Sequence, residues 1–238
     1  MGANGSGKST LLKALSRVLR PFAGEVLLNE QSIHAMRTRD VAFALSILPQ
    51  DTHAPEGLSV EEFVGYGRYP HRRLFSRNGD DTRMIEWAIE AAQLQELRNR
   101  ALNSLSGGQQ QSVWIAMTLA QGAEILMLDE PTSHLDMCHQ LEVMELLKNL
   151  NEQSSKTVIM VLHDLNLAAR YASHMIVVHS GRIYASGPPK EVMTPQTFLD
   201  AFGVHAEIVP DPVMGIPVCI AYRARSNGDG GCKQGLRV

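Results

Sequence analysis

Apolar side chains recur along this chain with a helical period in some segments and as unbroken runs in others. Leu11, Leu12, Leu15 and Leu19 fall on one face of a helix, so residues 8–19 are predicted to be helical. The same period predicts further helices at residues 60–66, 81–94, 107–121, 141–150 and 164–172. Short runs rich in Val, Ile and Leu predict strands at residues 25–28, 41–48, 125–128, 157–162 and 175–178. Unbroken apolar strands that alternate with amphipathic helices indicate an α/β fold, with a parallel sheet covered on both faces.

The polar segments between these elements predict where helices begin and where the chain turns. Ser59 is a predicted N-cap, because Glu62 stands three residues later and can complete a capping box. Residues 67–79 are rich in Arg, Gly, Pro and Asn and are predicted to form an exposed loop, and residues 181–185 a hairpin return. The glycine-rich residues 223–238 are predicted to be a disordered tail.

Composition and charge narrow the function classes. The 238 residues are 44% apolar and 20% charged, which is ordinary for a globular protein and excludes disorder throughout. The net charge of -3 gives no general attraction for nucleic acids, so no nucleic acid is expected as a partner. Three scattered cysteines are too few for a disulfide framework or a zinc site, and the apolar stretches are too short to span a bilayer. These features predict a soluble, reduced, cytoplasmic protein.

The clearest chemical motif lies at the start of the sequence. Residues 2–9 read Gly-Ala-Asn-Gly-Ser-Gly-Lys-Ser, which fits the phosphate-loop pattern at each required position. Glycines let successive backbone N–H groups point at phosphate oxygens, Lys8 can reach the β- and γ-phosphates, and the Ser9 hydroxyl can ligate Mg²⁺. A flexible Gly/Ser segment that happens to contain a lysine is the alternative. The predicted nucleotide contacts are Gly2, Asn4, Gly5, Ser6, Gly7, Lys8, Ser9 and Thr10.

Two acids follow the predicted strand at residues 125–128. The C-terminal edge of a parallel sheet is where ligands bind in open α/β folds. Asp129 would hold Mg²⁺ through water, and Glu130 is placed to orient and polarise an attacking water as a general base. Solvated charges at a strand end are the alternative.

A second anion-binding helix start is predicted where the sequence reads Leu105-Ser106-Gly107-Gly108-Gln109. Ser106 offers a hydroxyl, and the two glycines let the backbone approach a ligand. This helix start and the phosphate loop could meet at one site or act on two chains. The predicted contacts are Ser106, Gly107, Gly108 and Gln109.

Taken in order, these motifs resemble the ATP-binding subunits of ABC transporters, and the resemblance runs from Gly2 to about residue 222. Gln50 resembles the family's Q-loop residue, Ser133-His134-Leu135-Asp136 its D-loop, and His163 its switch histidine. The resemblance implies a P-loop NTPase (RecA-like) parallel sheet in an ATP-binding domain of residues 1–222. It also implies an inserted helical subdomain at about residues 51–123.

The resemblance further implies a mechanism that uses ATP, Mg²⁺ and a second copy of the chain. ATP would be held between residues 2–9 of one copy and residues 106–109 of the other, and Asp136 would cross the interface of this head-to-tail dimer. The implied catalytic residues are Glu130, His163 and Gln50. The implied Mg²⁺ ligands are Ser9, Gln50 and Asp129. One departure is that residues 110–112 read Gln-Gln-Ser, where family members usually carry basic residues.

Two segments indicate a branch of the family. Residues 67–71, Gly-Arg-Tyr-Pro-His, and residues 211–217 resemble the importers of iron(III)-siderophores, haem and cobalamin. An iron(III)-siderophore is the predicted solute, with haem and cobalamin as alternatives. This branch implies a polytopic membrane permease as partner, a substrate-binding protein that acts indirectly, and a peripheral location at the cytoplasmic face of the inner membrane.

Two other hypotheses stay open at the level of sequence. ABC-type proteins that act on ribosomes carry tandem cassettes, and those that act on chromosomes carry a long coiled coil; this sequence contains neither. The second hypothesis is an incomplete cassette with little activity. A strand normally leads into a phosphate loop, and the family places an adenine-stacking aromatic residue upstream, so we expect the N-terminal β region to be missing here and the natural protein to be longer.

Overall fold

The chain forms two units, a central unit of residues 9–162 and a terminal unit of residues 1–8 and 163–238. A computed structural model describes residues 1–50, 55–71, 79–133 and 135–225. Residues 51–54, residues 72–78 of the loop predicted at 67–79, His134 of the D-loop motif and the tail from Ser226 onward lie outside the described residues.

The central unit alternates short strands with helices. Its strands are β1 (Leu27–Leu28), β2 (Gln31–Ser32), β3 (Leu45–Leu48), β4 (Ile125–Asp129) and β5 (Thr157–Val161). Its helices are α1 (Lys8–Leu15, which joins the two units in sequence), α2 (Thr38–Ala44), α3 (Val60–Gly65), α4 (Gly79–Ala91), α5 (Gly107–Ala120) and α6 (Met137–Ser154). Short 3₁₀ helices lie at Tyr66–His71, Gln95–Leu97 and Leu102–Ser104.

A parallel sheet forms the core of the central unit, as predicted. The strands lie in the order β3-β4-β5, with Leu48 opposite Leu128 in the register. Leu48, Leu126 and Leu128 are almost fully buried, in one core cluster with apolar residues of α3, α4, α5 and α6. The register places the ends of β3 and β4 side by side, so the residues that follow them, Gln50 and Glu130, emerge at the same edge.

The terminal unit contains two antiparallel hairpins and short helices. Its strands are β6 (Met175–His179), β7 (Arg182–Gly187), β8 (Val204–Pro210) and β9 (Pro217–Ala224). Its helices are α7 (Leu165–Tyr171), α8 (Pro189–Val192), α9 (Pro195–Thr197) and a π-helical turn at Phe198–Phe202. The predicted return near residues 181–185 is the β6–β7 hairpin. Strand β9 extends to Ala224, two residues into the segment predicted as a tail.

The run from Val41 to Leu48 is not one strand, which corrects the prediction. Residues up to Ala44 are the last half of α2, and only Leu45–Leu48 is extended. Val41 is buried on α2 against Leu28 and Ile33. A continuous apolar run has no period that separates a buried helical turn from a buried strand, so the boundary could not be read from the pattern.

Residues 67–71 are also unlike the predicted exposed loop. They lie in a 3₁₀ helix, and Gly67 and Arg68 are buried. Helix α1 is shorter than predicted because it ends at Leu15, and Leu19 is exposed. Among the residues described, no helix combines the length and apolar character that a membrane-spanning segment needs.

Candidate nucleotide-binding site

The phosphate-loop motif forms a tight turn in the terminal unit, just before α1. Gly5 and Gly7 have φ of 73° and 102°, in the left-handed region that glycine adopts without strain. A β-carbon at Gly2 would lie 2.1 Å from the carbonyl oxygen of Val178. Val178 N–H donates to the carbonyl oxygen of Met1 (2.8 Å), so Gly2 follows directly on a residue paired with β6. Glycine is therefore required here by both backbone conformation and close packing.

Lys8 is held inside this loop. Its Nζ donates to the carbonyl oxygens of Gly2 and Ala3, each at 2.9 Å, and the residue is only 8% exposed. The loop is fixed to the β6–β7 turn, because Gly181 N–H donates to the carbonyl oxygen of Ser6 at 3.0 Å. The loop thus places an ammonium group at the N-terminal end of α1, where the helix dipole also favours an anion.

Ser9 and Asp129 meet in the central unit. The Ser9 hydroxyl donates to Asp129 Oδ1 at 3.0 Å, although the two residues are 120 positions apart in sequence. Asp129 is the last residue of β4 and is 2% exposed. The predicted pair of hard oxygen ligands is therefore assembled at the end of the central strand.

Glu130 follows β4 in an unusual backbone conformation. Its φ is 56°, a left-handed value that costs a non-glycine residue about 1–3 kcal/mol. Its N–H donates to the carbonyl oxygen of Val161 at 3.1 Å. Its carboxylate Oε2 accepts from Gln50 Nε2 and from the Ser133 hydroxyl, both at 3.1 Å. The backbone and the side chain of Glu130 are thus both held in defined positions beyond the sheet edge.

The Ser106–Gln109 segment is a capped helix start. Ser106 is the N-cap of α5, its hydroxyl accepts from Gln109 N–H (3.3 Å), and Gln109 Oε1 accepts from Ser106 N–H (3.1 Å). A β-carbon at Gly107 would meet nothing within 4 Å, and one at Gly108 would make only ordinary contacts. Packing within the chain requires neither glycine. The space beside Gly107 is open to a partner from outside, whereas Gly108 lies close to His139 and Leu135.

Two glutamines follow this motif, where the resemblance implied basic residues. Gln110 Nε2 donates to the carbonyl oxygens of Leu102 (3.3 Å) and Leu105 (3.2 Å). Gln111 Nε2 donates to the carbonyl oxygen of Pro131 at 3.1 Å, directly after Glu130. These neutral side chains therefore hold the backbone just before the motif and the backbone just after Glu130, and they add no charge.

Some of the predicted site residues are in contact with one another, and others are not. Gln50 and Glu130 are in contact, as are Ser9 and Asp129, whereas Asn4 and Thr10 are exposed beside the loop. His163 follows β5 closely in sequence and is exposed. Asp136 is the N-cap of α6.

Sequence reasoning missed Ser133 as a partner of Glu130. The signal that could have found it is its position three residues after the acid, within a turn that begins with proline.

The comparisons with known proteins agree with these motifs. The family described as ABC transporter matches residues 1–133. The chain belongs to the ABC transporter family. Over 223 residues it is 50% identical to the iron(3+)-hydroxamate import ATP-binding protein FhuC of Bacillus subtilis (strain 168), covering 93% of this chain and 83% of that protein. It is thus an ABC-type ATPase.

Solved structures of ABC transporters have the same fold. A chain from a metal-chelate type ABC transporter in an inward-facing conformation superposes with a TM-score of 0.80 and 26% identity, covering 93% of this chain and 84% of that chain. A dimeric bacterial ABC transporter cassette superposes with a TM-score of 0.70 and 31% identity, covering 79% of this chain and 83% of that chain. The predicted P-loop NTPase fold of this ABC ATPase is confirmed.

Proposed function

We propose that this chain hydrolyses ATP to energise uptake of an iron(III)-siderophore through a separate membrane permease. The observation that carries this is the 50% identity, across 93% of the chain, to an iron(3+)-hydroxamate import ATP-binding protein. In this proposal the chain is a peripheral subunit at the cytoplasmic face of the inner membrane, and a substrate-binding protein delivers the solute to the permease.

Nucleotide binding would begin at the phosphate loop. The backbone N–H groups of residues 2–8 and the Lys8 ammonium face the phosphates, and the N-terminal end of α1 adds its positive dipole. Ser9, Asp129 and Gln50 are assigned as Mg²⁺ ligands, because hydroxyl, carboxylate and amide oxygens suit this hard cation, and Ser9 and Asp129 already lie in contact. When bound, Mg²⁺ neutralises charge that develops on the β- and γ-phosphates.

Hydrolysis would depend on Glu130. We assign it as the general base that accepts a proton from the attacking water through its carboxylate. Gln50 and Ser133 both donate to Oε2, so they fix which way the carboxylate faces. His163 is assigned a contact with the γ-phosphate, which would hold the water and Glu130 in register during the reaction.

A second copy would complete the nucleotide site. The open space beside Gly107, where a β-carbon would meet nothing within 4 Å, suits a phosphate-bearing ligand held by another chain. Such a ligand would face the Ser106 hydroxyl and the first N–H groups of α5, which have no helical acceptor upstream. ATP would then join residues 2–9 of one copy to residues 106–109 of the other, with Asp136 at their interface. The dimeric cassette among the similar structures supports this arrangement.

The test of this function is solute uptake by cells. Cells that lack their own siderophore-importer ATPase would express this chain with the permease and binding protein encoded beside it, and uptake of labelled ferric hydroxamate, haem and cobalamin would be measured. We expect uptake of the ferric hydroxamate, lost in Lys8→Ala. Uptake of haem or cobalamin instead would replace the iron(III)-siderophore as the proposed solute. Co-purification of the chain with ribosomes or chromosomes, rather than with the permease, would refute the transport function.

A further inference from the structure

His139 engages both oxygens of the Asp136 carboxylate. Asp136 Oδ1 accepts from the His139 backbone N–H at 3.0 Å, and Asp136 Oδ2 lies 2.8 Å from His139 Nδ1. An ionised carboxylate can only accept, so Nδ1 must carry the hydrogen and the imidazole tautomer is set. These two hydrogen bonds lower the pKa of Asp136 below its ordinary value. His139 therefore supplies the two largest contributions to holding the Asp136 carboxylate, with a further backbone hydrogen bond from Cys138.

The same imidazole ring lies against the Ser106–Gln109 segment. Its Cγ and Cδ2 atoms are 3.5 Å from the position that a β-carbon at Gly108 would occupy, and Leu135 Cδ2 is 3.6 Å from that position. The ring thus backs the second glycine of the motif while its Nδ1 holds Asp136. Two helix starts, those of α5 and α6, meet at a single side chain within the central unit.

This arrangement differs from an ordinary helix cap. In a capping box the third helical residue is Glu or Gln, and its side chain reaches back to the N-cap backbone N–H. Ser106 and Gln109 follow that rule at the start of α5. At α6 the third residue is His139, and its ring reaches the N-cap side chain instead, which leaves the Asp136 side chain 65% exposed but held. Asp136 Oδ1 already caps α6, so the bond from the His139 ring to Oδ2 is additional to the cap.

We propose that His139 is a positioning residue for the site in which ATP is bound between residues 2–9 of one copy and residues 106–109 of the other. It holds the Asp136 carboxylate at the interface between the two copies and packs beside Gly108. The N-terminal ends of α5 and α6, which both face the second copy, therefore keep a fixed position relative to each other. The proposal rests on the two-copy function proposed above. His139 does not touch ATP in this account, and it acts through Asp136 and the backbone of Gly108.

Two variants separate the hydrogen bond from the packing. His139→Asn keeps an N–H donor at the position of Nδ1 but removes the ring, and His139→Phe keeps a ring against Gly108 but removes the donor. His174→Ala is the matched control, because His174 is an exposed histidine that also has a side-chain partner, Ser186 Oγ at 2.9 Å, and it belongs to none of the motifs. Steady-state ATP hydrolysis would be measured for each full-length variant, with urea unfolding to confirm that they are folded.

In His139→Phe we expect kcat to fall about tenfold, as for the loss of one hydrogen bond to a charged group. The KM for ATP should change by less than about twofold, because residues 2–9 are untouched. His139→Asn should recover most of the lost kcat, and His174→Ala should match the wild type. Wild-type kcat in His139→Phe, or a loss of the same size in His174→Ala, would overturn the proposal.

A second readout keeps this inference separate from the proposed function. If the wild type hydrolysed no ATP, the proposed function would fail, yet the Asp136 carboxyl could still be titrated by NMR in each variant. We expect its pKa to rise toward the ordinary value in His139→Phe and to stay low in His139→Asn. The same pKa in all three proteins would show that His139 does not hold Asp136.

Discussion

At the scale of single residues, both the backbone and the side chain of Glu130 are more tightly held than those of an ordinary surface glutamate. Its φ of 56° is left-handed, and its carboxylate accepts hydrogen bonds from Gln50, 80 residues away in the sequence, and from Ser133, three residues on. Backbone strain persists only where the surroundings enforce it, and such sites cluster where chemistry occurs. The position of Glu130 after an apolar strand was predictable, but its φ was not, since glutamate has no intrinsic preference for this region.

Gly2 gives a residue-scale prediction for ATP binding. In Gly2→Ala the new methyl group would lie 2.1 Å from the Val178 carbonyl oxygen, so the loop must shift, and with it the Gly2 carbonyl that holds Lys8 Nζ. Overpacking of this kind costs about 1–3 kcal/mol, and we expect ATP affinity to fall about tenfold or more. Isothermal titration calorimetry with ATP in the presence of Mg²⁺ measures the ATP affinity of Gly2→Ala and of the wild type.

Gly24→Ala is the control for this substitution. Gly24 also has a left-handed φ, 82°, but a β-carbon there would meet nothing within 4 Å. It should lose some stability while its ATP affinity stays within about twofold of the wild type, because residues 2–9 are untouched. Unchanged ATP affinity in Gly2→Ala would mean that the loop does not depend on this close contact.

At the scale of elements, helix α5 is fixed at both ends. Its N-terminus carries the capping box of Ser106 and Gln109, and its C-terminal carbonyls accept from Arg68. The Arg68 guanidinium donates to the Ala120 carbonyl oxygen (2.9 Å) and to Asp81 Oδ1 (2.8 Å), and its side chain is 8% exposed. The helix that presents residues 106–109 is thus anchored by the segment that the sequence predicted as a loop.

Removing Arg68 should destabilise the fold. Arg68→Ala leaves Asp81 and the α5 carbonyls without this donor, and loss of one partner of a buried pair costs about 3 kcal/mol. Arg83→Ala, which removes an exposed arginine from α4, should change the free energy of unfolding by no more than about 0.5 kcal/mol. Urea denaturation compares the two, and equal effects would show that Arg68 is no anchor.

The helices and strands that could be predicted from the sequence are those whose signal is local, such as a continuous apolar run or a capping box. The strands β4 and β5 are continuous apolar runs, and Ser59 with Glu62 forms the expected capping box. The burial of Arg68 could not be predicted, because its acceptors at Asp81 and Ala120 come from 13 and 52 residues away in the sequence. Long-range satisfaction of a charged group overrides the preference of arginine for the surface.

At the scale of the whole molecule, the proposed function requires two copies of the chain. It assigns residues 2–9 and the acids after β4 to the nucleotide, and it assigns the start of α5, where a β-carbon at Gly107 would meet nothing within 4 Å, to the second copy. The resemblance to ABC transporter subunits implied this assembly, which stays a prediction for this chain. The contacts of His139 with Asp136 and near Gly108 were not predictable, because they depend on how α5 and α6 pack.

Glu130→Gln tests the central claim, because the amide cannot act as a base but keeps the shape of the side chain. We expect ATP hydrolysis to fall about 100-fold or more, while ATP still binds. Since the nucleotide then stays intact, sedimentation velocity with ATP and Mg²⁺ should show a species of two chains. Lys8→Ala added to this variant should abolish that species. Undiminished hydrolysis in Glu130→Gln, or a single-chain species at saturating ATP, would contradict the account of a two-copy ATPase.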